Sequence, residues 1–286
     1  PEFMHVRYDN WVKGLQWDWC ISRQRFFGIP FPVWYCKKCG EPKLARKEQL
    51  PMNPEVDKPD ENCRKCGSTD FSPETDVMDT WATSSCSPLI LSRWASDKKY
   101  MNAIYPMSLR PQGNDIISFW LFTTVVKCYL HTKKLPWSDT FISGYALDPK
   151  GRPMHKSLGN VIMALPAIEK YSADAVRYWA GATSLGEDSS FQEKDMIGAQ
   201  RLVNKLWNAT RFVDMNYEKI NDASSRNIID DWIRYRLWIT IAKVTECFDS
   251  YDYFRARNMI EQFFWTFTND YMEFVKHRVY KKEEAA

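Results

Sequence analysis

A chain of 286 residues is long enough for one large domain or two ordinary ones, and its 44% hydrophobic content supports a real core. The formal net charge of +3 excludes a global basic field for nucleic acid, so any RNA contact has to come from local clusters. No apolar run approaches the roughly 18 residues that a membrane span needs, and no signal-peptide pattern opens the chain.

Pro1-Glu2-Phe3 ahead of Met4 reads as a cloning scar, so the natural borders need not coincide with those of this chain. Residues 5–35 are aromatic-rich and close on Ile29-Pro-Phe-Pro-Val-Trp-Tyr35, an extended run predicted to be a strand. Residues 36–72 are polar and read as a small appended module. Within it, Cys36-Lys-Lys-Cys39-Gly40 and Cys63-Arg-Lys-Cys66-Gly67 each place two thiolates on a tight turn. The glycine after each pair permits the positive φ that such a turn often needs. Two turns brought together supply four sulfurs. That donor set suits tetrahedral zinc and leaves no open coordination position for chemistry. The remaining cysteines, Cys20, Cys86, Cys128 and Cys247, are scattered among apolar neighbours. This is not a disulfide framework, and it points to a reducing, cytoplasmic compartment.

From residue 73 the pattern becomes α/β. Met107–Arg110 is predicted as a strand, Gly113 as a turn, and Asp115–His131 as a long apolar helix capped by Asn114. A second strand over Thr140–Leu147 leads into a polar turn at 148–153, and short helices are predicted around 164–171 and 173–182. Such alternation predicts a parallel sheet. From 194 to 280 the chain has no proline, and apolar residues recur at helical spacing. The runs are Leu202, Leu206, Ala209, Phe212 and Val213, then Ile229, Ile233, Leu237 and Ile241. A third holds Phe254, Met259, Phe263, Phe264, Phe267, Tyr271 and Phe274. Three long amphipathic helices joined into a bundle are predicted.

The most informative stretch is Gly151-Arg-Pro-Met-His-Lys-Ser-Leu-Gly-Asn-Val-Ile162, set between a predicted strand and a predicted helix. It resembles the Lys-Met-Ser-Lys-Ser signature loop of the class I aminoacyl-tRNA synthetases, with its Leu-Gly-Asn continuation. Four further blocks resemble segments of the same enzymes: Trp19–Cys36, Asp76–Ser85, Gln112–Trp120 and Asn204–Val213. Asp79-Thr-Trp81, and Ile116-Ile117 where other members carry a Gln-His pair, are features of the valyl family. The resemblance covers roughly residues 8–280.

That resemblance implies an α/β fold: the second half of a Rossmann-like class I catalytic domain over 4–193, with a zinc-ribbon insertion at about 34–72. A partial anticodon-binding all-α bundle over 194–286 would follow. It implies that Lys156 stabilises charge developing on pyrophosphate as it leaves ATP, with Ser157 as its catalytic neighbour. Met154, His155 and Gly144 complete the implied ATP contacts. Trp81, Ile116 and Trp120 would wall the amino-acid side chain, the last two sharing a helix face at i, i+4. Asp79 and Asp115 would serve amino-group, ribose or positioning roles, although each could equally cap a helix, and Ile116 and Trp120 could equally be core. Arg201, Lys205 and Arg211 are candidate tRNA phosphate contacts. The implied substrates and partners are valine, ATP with Mg2+, and tRNA(Val); the implied structural metal is Zn2+ on Cys36, Cys39, Cys63 and Cys66. The intact enzyme would be monomeric and free of the membrane.

Two departures stand out: Pro153 replaces the usual first lysine, where adjacent Arg152 could compensate, and His155 replaces the central serine. The four histidines, His5, His131, His155 and His277, supply no His-x-Gly-His motif, and the editing domain that the resemblance implies would precede residue 5. The chain alone is therefore expected not to activate an amino acid at a useful rate. An isoleucyl or leucyl synthetase piece, or a non-catalytic zinc-ribbon RNA-binding module, remain as alternatives.

Overall fold

In the computed structural model, residues 1–216 and 227–281 are described. They fall into two units, Glu2–Thr140 and Phe141 onward.

The first unit opens with helix α1 (Glu2–Gly14) and the short strands β1 (Ser22–Arg23) and β2 (Ile29–Pro30). The cysteine module follows, on β3 (Val33–Cys36), β4 (Pro42–Leu44) and β5 (Phe71–Pro73), and then comes β6 (Val77–Met78). β3 is the central strand of the module, antiparallel to both neighbours. Buried Trp34 on β3 donates its indole N–H toward the carbonyls of Pro54 (3.1 Å) and Asp57 (3.2 Å), so the loop between the knuckles is folded onto the sheet. β6 lies between β1 and β2, antiparallel to each. A Cβ at Gly28 would stand 2.5 Å from Val77 Cγ2, so glycine is what lets that chain approach β6.

Helices α2 (Thr80–Ser84), α3 (Ser87–Leu91) and α4 (Lys98–Ile104) are short. Asp79 caps α2 and Asp97 caps α4, each accepting a backbone N–H. Strand β7 (Met107–Gly113), helix α5 (Phe122–Thr132) and strand β8 (Trp137–Ser143) then form a strand–helix–strand unit, with β7 and β8 neighbours in a two-stranded sheet. The predicted helix from Asp115 begins differently. Asn114–Ile116 is a 3₁₀ turn, Ile117–Leu121 a π turn, and α geometry starts only at Phe122. Ile116, at φ −107° and ψ 16°, interrupts the helical ladder between the two turns.

The second unit carries β9 (Ala146–Leu147), α6 (Ala164–Tyr171), α7 (Ala173–Ala180), β10 (Ser189–Ser190) and the long helices α8 (Glu193–Asn216) and α9 (Ile228–Asp249). α10 (Tyr253–Trp265) and α11 (Met272–Lys281) come last, joined by a π turn at Thr266–Tyr271. β9 and β10, the latter a strand not predicted from sequence, pair in parallel. Ala167, Tyr171, Ala175, Phe191, Met196 and Ala199 form the core where α6, α7 and α8 converge.

In the bundle, α9 packs against α10 through Val244, Cys247 and Ala256, with Met259 beside them. The stripe expected on α9 is only partly buried: Ile233 is covered, but Leu237 is 41% and Ile241 56% exposed. Apolar residues are spread around this helix, so a stripe read from spacing alone does not identify the packed face. Arg278 ties α11 to the start of α9 by two bonds to Asp230 (2.7 and 3.0 Å), whose carboxylate also accepts the Tyr271 hydroxyl (3.0 Å). No described helix is long and apolar enough to cross a membrane.

Candidate active site and metal centre

The two cysteine knuckles have matching geometry. The N–H of Gly40 returns to the Cys36 carbonyl and that of Gly67 to the Cys63 carbonyl, both at 2.8 Å, with φ +73° at each glycine. The Cys36 and Cys63 N–H groups bond outward to the Glu41 and Ser68 carbonyls, closing each turn. The four sulfurs lie within 4.8 Å of one another, with Cys36 to Cys66 and Cys39 to Cys63 both 3.5 Å. Thiolates at about 2.3 Å from a tetrahedral zinc ion stand about 3.8 Å apart, so the donor set and its spacing fit a dication of that size. Burial works against ionising Cys36, but the backbone N–H groups of Cys39 and Lys38 and the neighbouring thiols outweigh it and bring that thiol down to about 6.

The loop after β9 is organised by one buried carboxylate. Asp148 is 2% exposed. Its Oδ1 accepts the N–H groups of Lys150 and Arg152, both at 2.9 Å. Its Oδ2 accepts Arg152 Nε (2.9 Å), Arg152 Nη2 (2.8 Å) and Asn160 Nδ2 (3.0 Å). The Asn160 amide, the Arg152 N–H and guanidinium and the Lys150 N–H together hold the Asp148 carboxyl well below the usual carboxylate range, against the effect of burial. Asn160 also donates to the Pro153 carbonyl (3.1 Å) and accepts the His155 N–H (2.9 Å). Gly151, at φ +74°, makes the tight return of the hairpin.

On this frame the predicted loop residues divide. Met154 is half-buried and packs against the α6–α8 core, and its sulfur receives the Ile162 N–H at 3.4 Å. His155, Lys156 and Ser157 are exposed, with Lys156–Leu158 forming a 3₁₀ turn that ends at Gly159, φ +63°. Arg152 has two of its nitrogens committed to Asp148. Gly144 has a packing reason for its identity: a Cβ there would stand 2.1 Å from the Glu187 carbonyl oxygen.

The residues predicted to wall an amino acid lie in the first unit. Trp81 is 38% exposed and stacks on Phe119 (6.4 Å, 24°), against which Trp11 and Trp19 also pack. Trp120 belongs to a second cluster: it is 5% exposed, stacked on Trp137 (5.6 Å, 10°), with the Arg110 guanidinium 3.6 Å from its ring centre. Ile116 is half-buried. Because a π turn begins at Ile117, Ile116 and Trp120 are not related by the one α-helical turn that their spacing predicts. Asp79 is buried, caps α2 through the Trp81 N–H (2.7 Å) and pairs with Arg23 at 2.5 Å. Asp115 is exposed, its Oδ1 close enough to Gly113 that a Cβ there would meet it at 2.5 Å.

The pattern of the family described as tRNA synthetases class I (I, L, M and V) matches residues 1–192. The chain belongs to this family. The pattern of the anticodon-binding domain of tRNA ligase matches residues 230–286. Among curated relatives, the valine–tRNA ligase of Haloarcula marismortui is 46% identical over 279 residues, covering 94% of this chain and 31% of the relative. That of Picrophilus torridus is 46% identical over 292 residues, covering 100% and 37%. The chain thus spans about a third of the length of these relatives. Among solved structures, an Agrobacterium radiobacter LeuRS in ternary complex with tRNA and LeuAMS superposes with a TM-score of 0.72 at 22% identity, over 97% of this chain and 40% of that one. A Mycobacterium tuberculosis methionyl-tRNA synthetase bound to methionyl-adenylate gives 0.67 at 19% identity, over 99% and 50%. At these identities the likeness is one of fold.

Within this synthetase fold, the three basic residues assigned to tRNA all fall on α8. Arg201 and Arg211 are exposed and Lys205 is half-buried, with Arg201 and Lys205 one turn apart on one face. Three groups were not singled out as site residues from sequence. Arg23, beneath Asp79, lies inside the Trp19–Cys36 block. Asp148 and Asn160 flank the signature, and Asn160 ends its Leu-Gly-Asn continuation. Phe119 stands beside Trp120 in the Gln112–Trp120 block. Arg23, Phe119 and Asn160 sit in stretches already marked by resemblance, which was the available signal, while Asp148 lies in the polar turn at 148–153 just before one.

Proposed function

We propose that this chain is the part of a valine–tRNA ligase that carries the signature loop, the amino-acid pocket walls, a structural zinc site and the start of the anticodon-binding bundle. The observation that carries the reading is the signature loop itself. Lys156 and Ser157 stand exposed on a turn whose backbone is held from below by a buried carboxylate. The 41–46% identity to valine–tRNA ligases along the chain supports valine as the amino acid.

In the proposed reaction a valine carboxylate oxygen attacks the α-phosphorus of ATP. The bond to the β-phosphate oxygen breaks, and pyrophosphate leaves with the electron pair. Lys156 binds the departing phosphates, an interaction that strengthens as charge develops and therefore lowers the barrier. Mg2+ travels with the phosphates of ATP. The terminal adenosine 2′-hydroxyl of tRNA(Val) then attacks the acyl carbon and releases AMP. Met154, anchored in the core, sets the depth of the loop, and His155 and Gly144 complete the proposed nucleotide contacts. Trp81, Ile116 and Trp120 define room for an isopropyl group, where one extra methylene is worth ~1–3 kcal/mol of discrimination. Asp79, already a cap and an ion-pair partner of Arg23, acts by positioning Trp81. Asp115, exposed, is the carboxylate available to the substrate.

Cys36, Cys39, Cys63 and Cys66 would hold Zn2+, which contributes folding free energy to a module with little core of its own. Residues 194–286 would lie along the tRNA, with Arg201, Lys205 and Arg211 at phosphates. The domain borders proposed are 4–193, with the zinc module at about 34–72, and 194–286.

The test is a calorimetric titration of the chain with non-hydrolysable valyl-, isoleucyl-, leucyl- and threonyl-adenylate analogues. Tightest binding of the valyl compound is expected, and preference for the isoleucyl or leucyl compound would overturn the valine assignment. Valine-dependent ATP–pyrophosphate exchange by the chain alone is expected to fall far below that of a full-length ligase, because the His-x-Gly-His half of the phosphate site is not in this sequence.

A further inference from the structure

We propose that Asp148 and Asn160 are positioning residues that preset the backbone under Lys156, an inference that rests on the phosphate role proposed above for that lysine. An exposed loop needs no buried carboxylate. Yet Asp148 is nearly sealed from solvent and all its bonds face the loop's own start and end: Lys150 N, Arg152 N, two Arg152 side-chain nitrogens and Asn160 Nδ2. A buried charge is tolerated only when it is satisfied in this way.

Asn160 passes the constraint on. One amide nitrogen reaches Asp148 (3.0 Å) and the Pro153 carbonyl (3.1 Å), while its oxygen takes the His155 N–H (2.9 Å). His155 is the residue that begins the turn carrying Lys156. The chain of bonds therefore runs from a buried anion, through one amide, to the peptide next to the exposed lysine. Lys156 itself makes no contribution to this frame, which is what a phosphate ligand requires: its backbone is ordered while its ammonium stays available. Preordering of this kind reduces the entropy lost when a polyphosphate binds.

Asp148 also offsets the charge of Arg152. The guanidinium next to Pro153, which replaces the usual first lysine, is thereby tied down, while Lys156 stays exposed and available for phosphate. The arrangement predicts that loop order and phosphate affinity move together.

The experiment measures amide hydrogen exchange over residues 153–160 and calorimetric affinity for magnesium pyrophosphate, on the full chain. It compares Asp148→Asn, Asn160→Ala and the double variant that carries both changes. Each single change is expected to speed loop exchange about tenfold or more and weaken pyrophosphate by about tenfold, while exchange across α8 stays unchanged. Because the two residues lie in one chain of bonds, the double variant is expected to lose little more than the worse single variant, whereas independent losses would add. Unchanged exchange in the single variants, or a double variant whose losses equal the sum of the two, would overturn the proposal. If pyrophosphate fails to bind the unaltered chain, the role given to Lys156 falls. The exchange arm alone then decides whether the pair orders the loop.

Discussion

The cysteine module and the signature loop both present their chemistry from tight turns with glycine at positive φ, yet they are held in opposite ways. In the module the reactive atoms are the frame: four sulfurs within 4.8 Å are what two knuckles have in common, and a cation between them would complete the fold. In the loop the frame is Asp148 with Asn160, and the group proposed to meet phosphate, Lys156, stands outside it. On the roles proposed for them, the module cannot lose a ligand without losing structure, whereas the loop can lose its lysine and keep its shape.

The largest expected effect tests the first half of that contrast. Cys63→Ser, or stripping with a strong chelator, should unfold residues 36–72, because the roughly 10–16 kcal/mol with which structural zinc sites bind their ion is folding free energy. Buried Trp34 reports it, because its indole bonds to the Pro54 and Asp57 backbone carbonyls depend on the loop between the knuckles. A red shift in emission together with release of about one zinc per chain is expected. Chains that hold no stoichiometric metal and show unchanged emission would remove the zinc assignment.

Next in size is Gly144→Ala, which asks whether the break between β8 and β9 is as rigidly set as the loop frame. The new Cβ would collide with backbone, the Glu187 carbonyl oxygen at 2.1 Å, rather than with a movable side chain. Overpacking of this kind costs about 3 kcal/mol, read as a fall in melting temperature. A loss below about 1 kcal/mol would mean that residues 187–188 yield easily and that Gly144 is there for another reason.

What could be read in advance follows the range of the interactions. The knuckles are complete within five residues each, so spacing and a trailing glycine described them. The signature was legible as a resemblance, and the short helix read around 164–171 coincides with α6. The frame beneath the signature was not, because Asp148 and Asn160 are twelve residues apart and nothing in the sequence says which of several polar loop residues turns inward. Periodicity misled where it assumed an α-helix. Ile116 and Trp120 are four apart, but a 3₁₀ turn passes into a π turn between them. On α9, Leu237 and Ile241 fit the stripe and are exposed, because apolar residues occur on more than one side of that helix.

A smaller effect separates the pocket from both regions. Arg110 lies 3.6 Å over the Trp120 ring, and burial lowers its pKa from the ordinary arginine value. Arg110→Met should lose about 1 kcal/mol of cation–π attraction, partly offset by relief of burying a guanidinium. The same change should broaden the selectivity among adenylate analogues, if Trp120 is a pocket wall that Arg110 holds in place. Selectivity retained with stability lowered would make Trp120 a core residue only.

pH gives a gentler probe. The Asp148 pKa is depressed in the folded chain, so its stabilising effect is fully present above the ordinary carboxylate value of about 3.9 and is lost only as pH falls through the lower folded value. Loop exchange, corrected for intrinsic rates, should therefore be flat from about pH 5 to 8. A step within that window would show that some other group sets the order of the loop.

The smallest structural effect is expected where the chemical effect is largest. Lys156 is exposed, and its side chain takes no part in the Asp148–Asn160 frame. Lys156→Ala should change stability by no more than about 0.5 kcal/mol, the usual range for a surface substitution without a structural role. Exchange over 153–160 should be unaltered, while magnesium pyrophosphate binding should weaken by about tenfold or more, the loss of one charge-assisted contact. Comparison with Asn160→Ala makes the result specific, since that variant should weaken pyrophosphate and loosen the loop together. If Lys156→Ala also loosens the loop, lysine and frame are one structure, and the signature loop is built like the cysteine module after all.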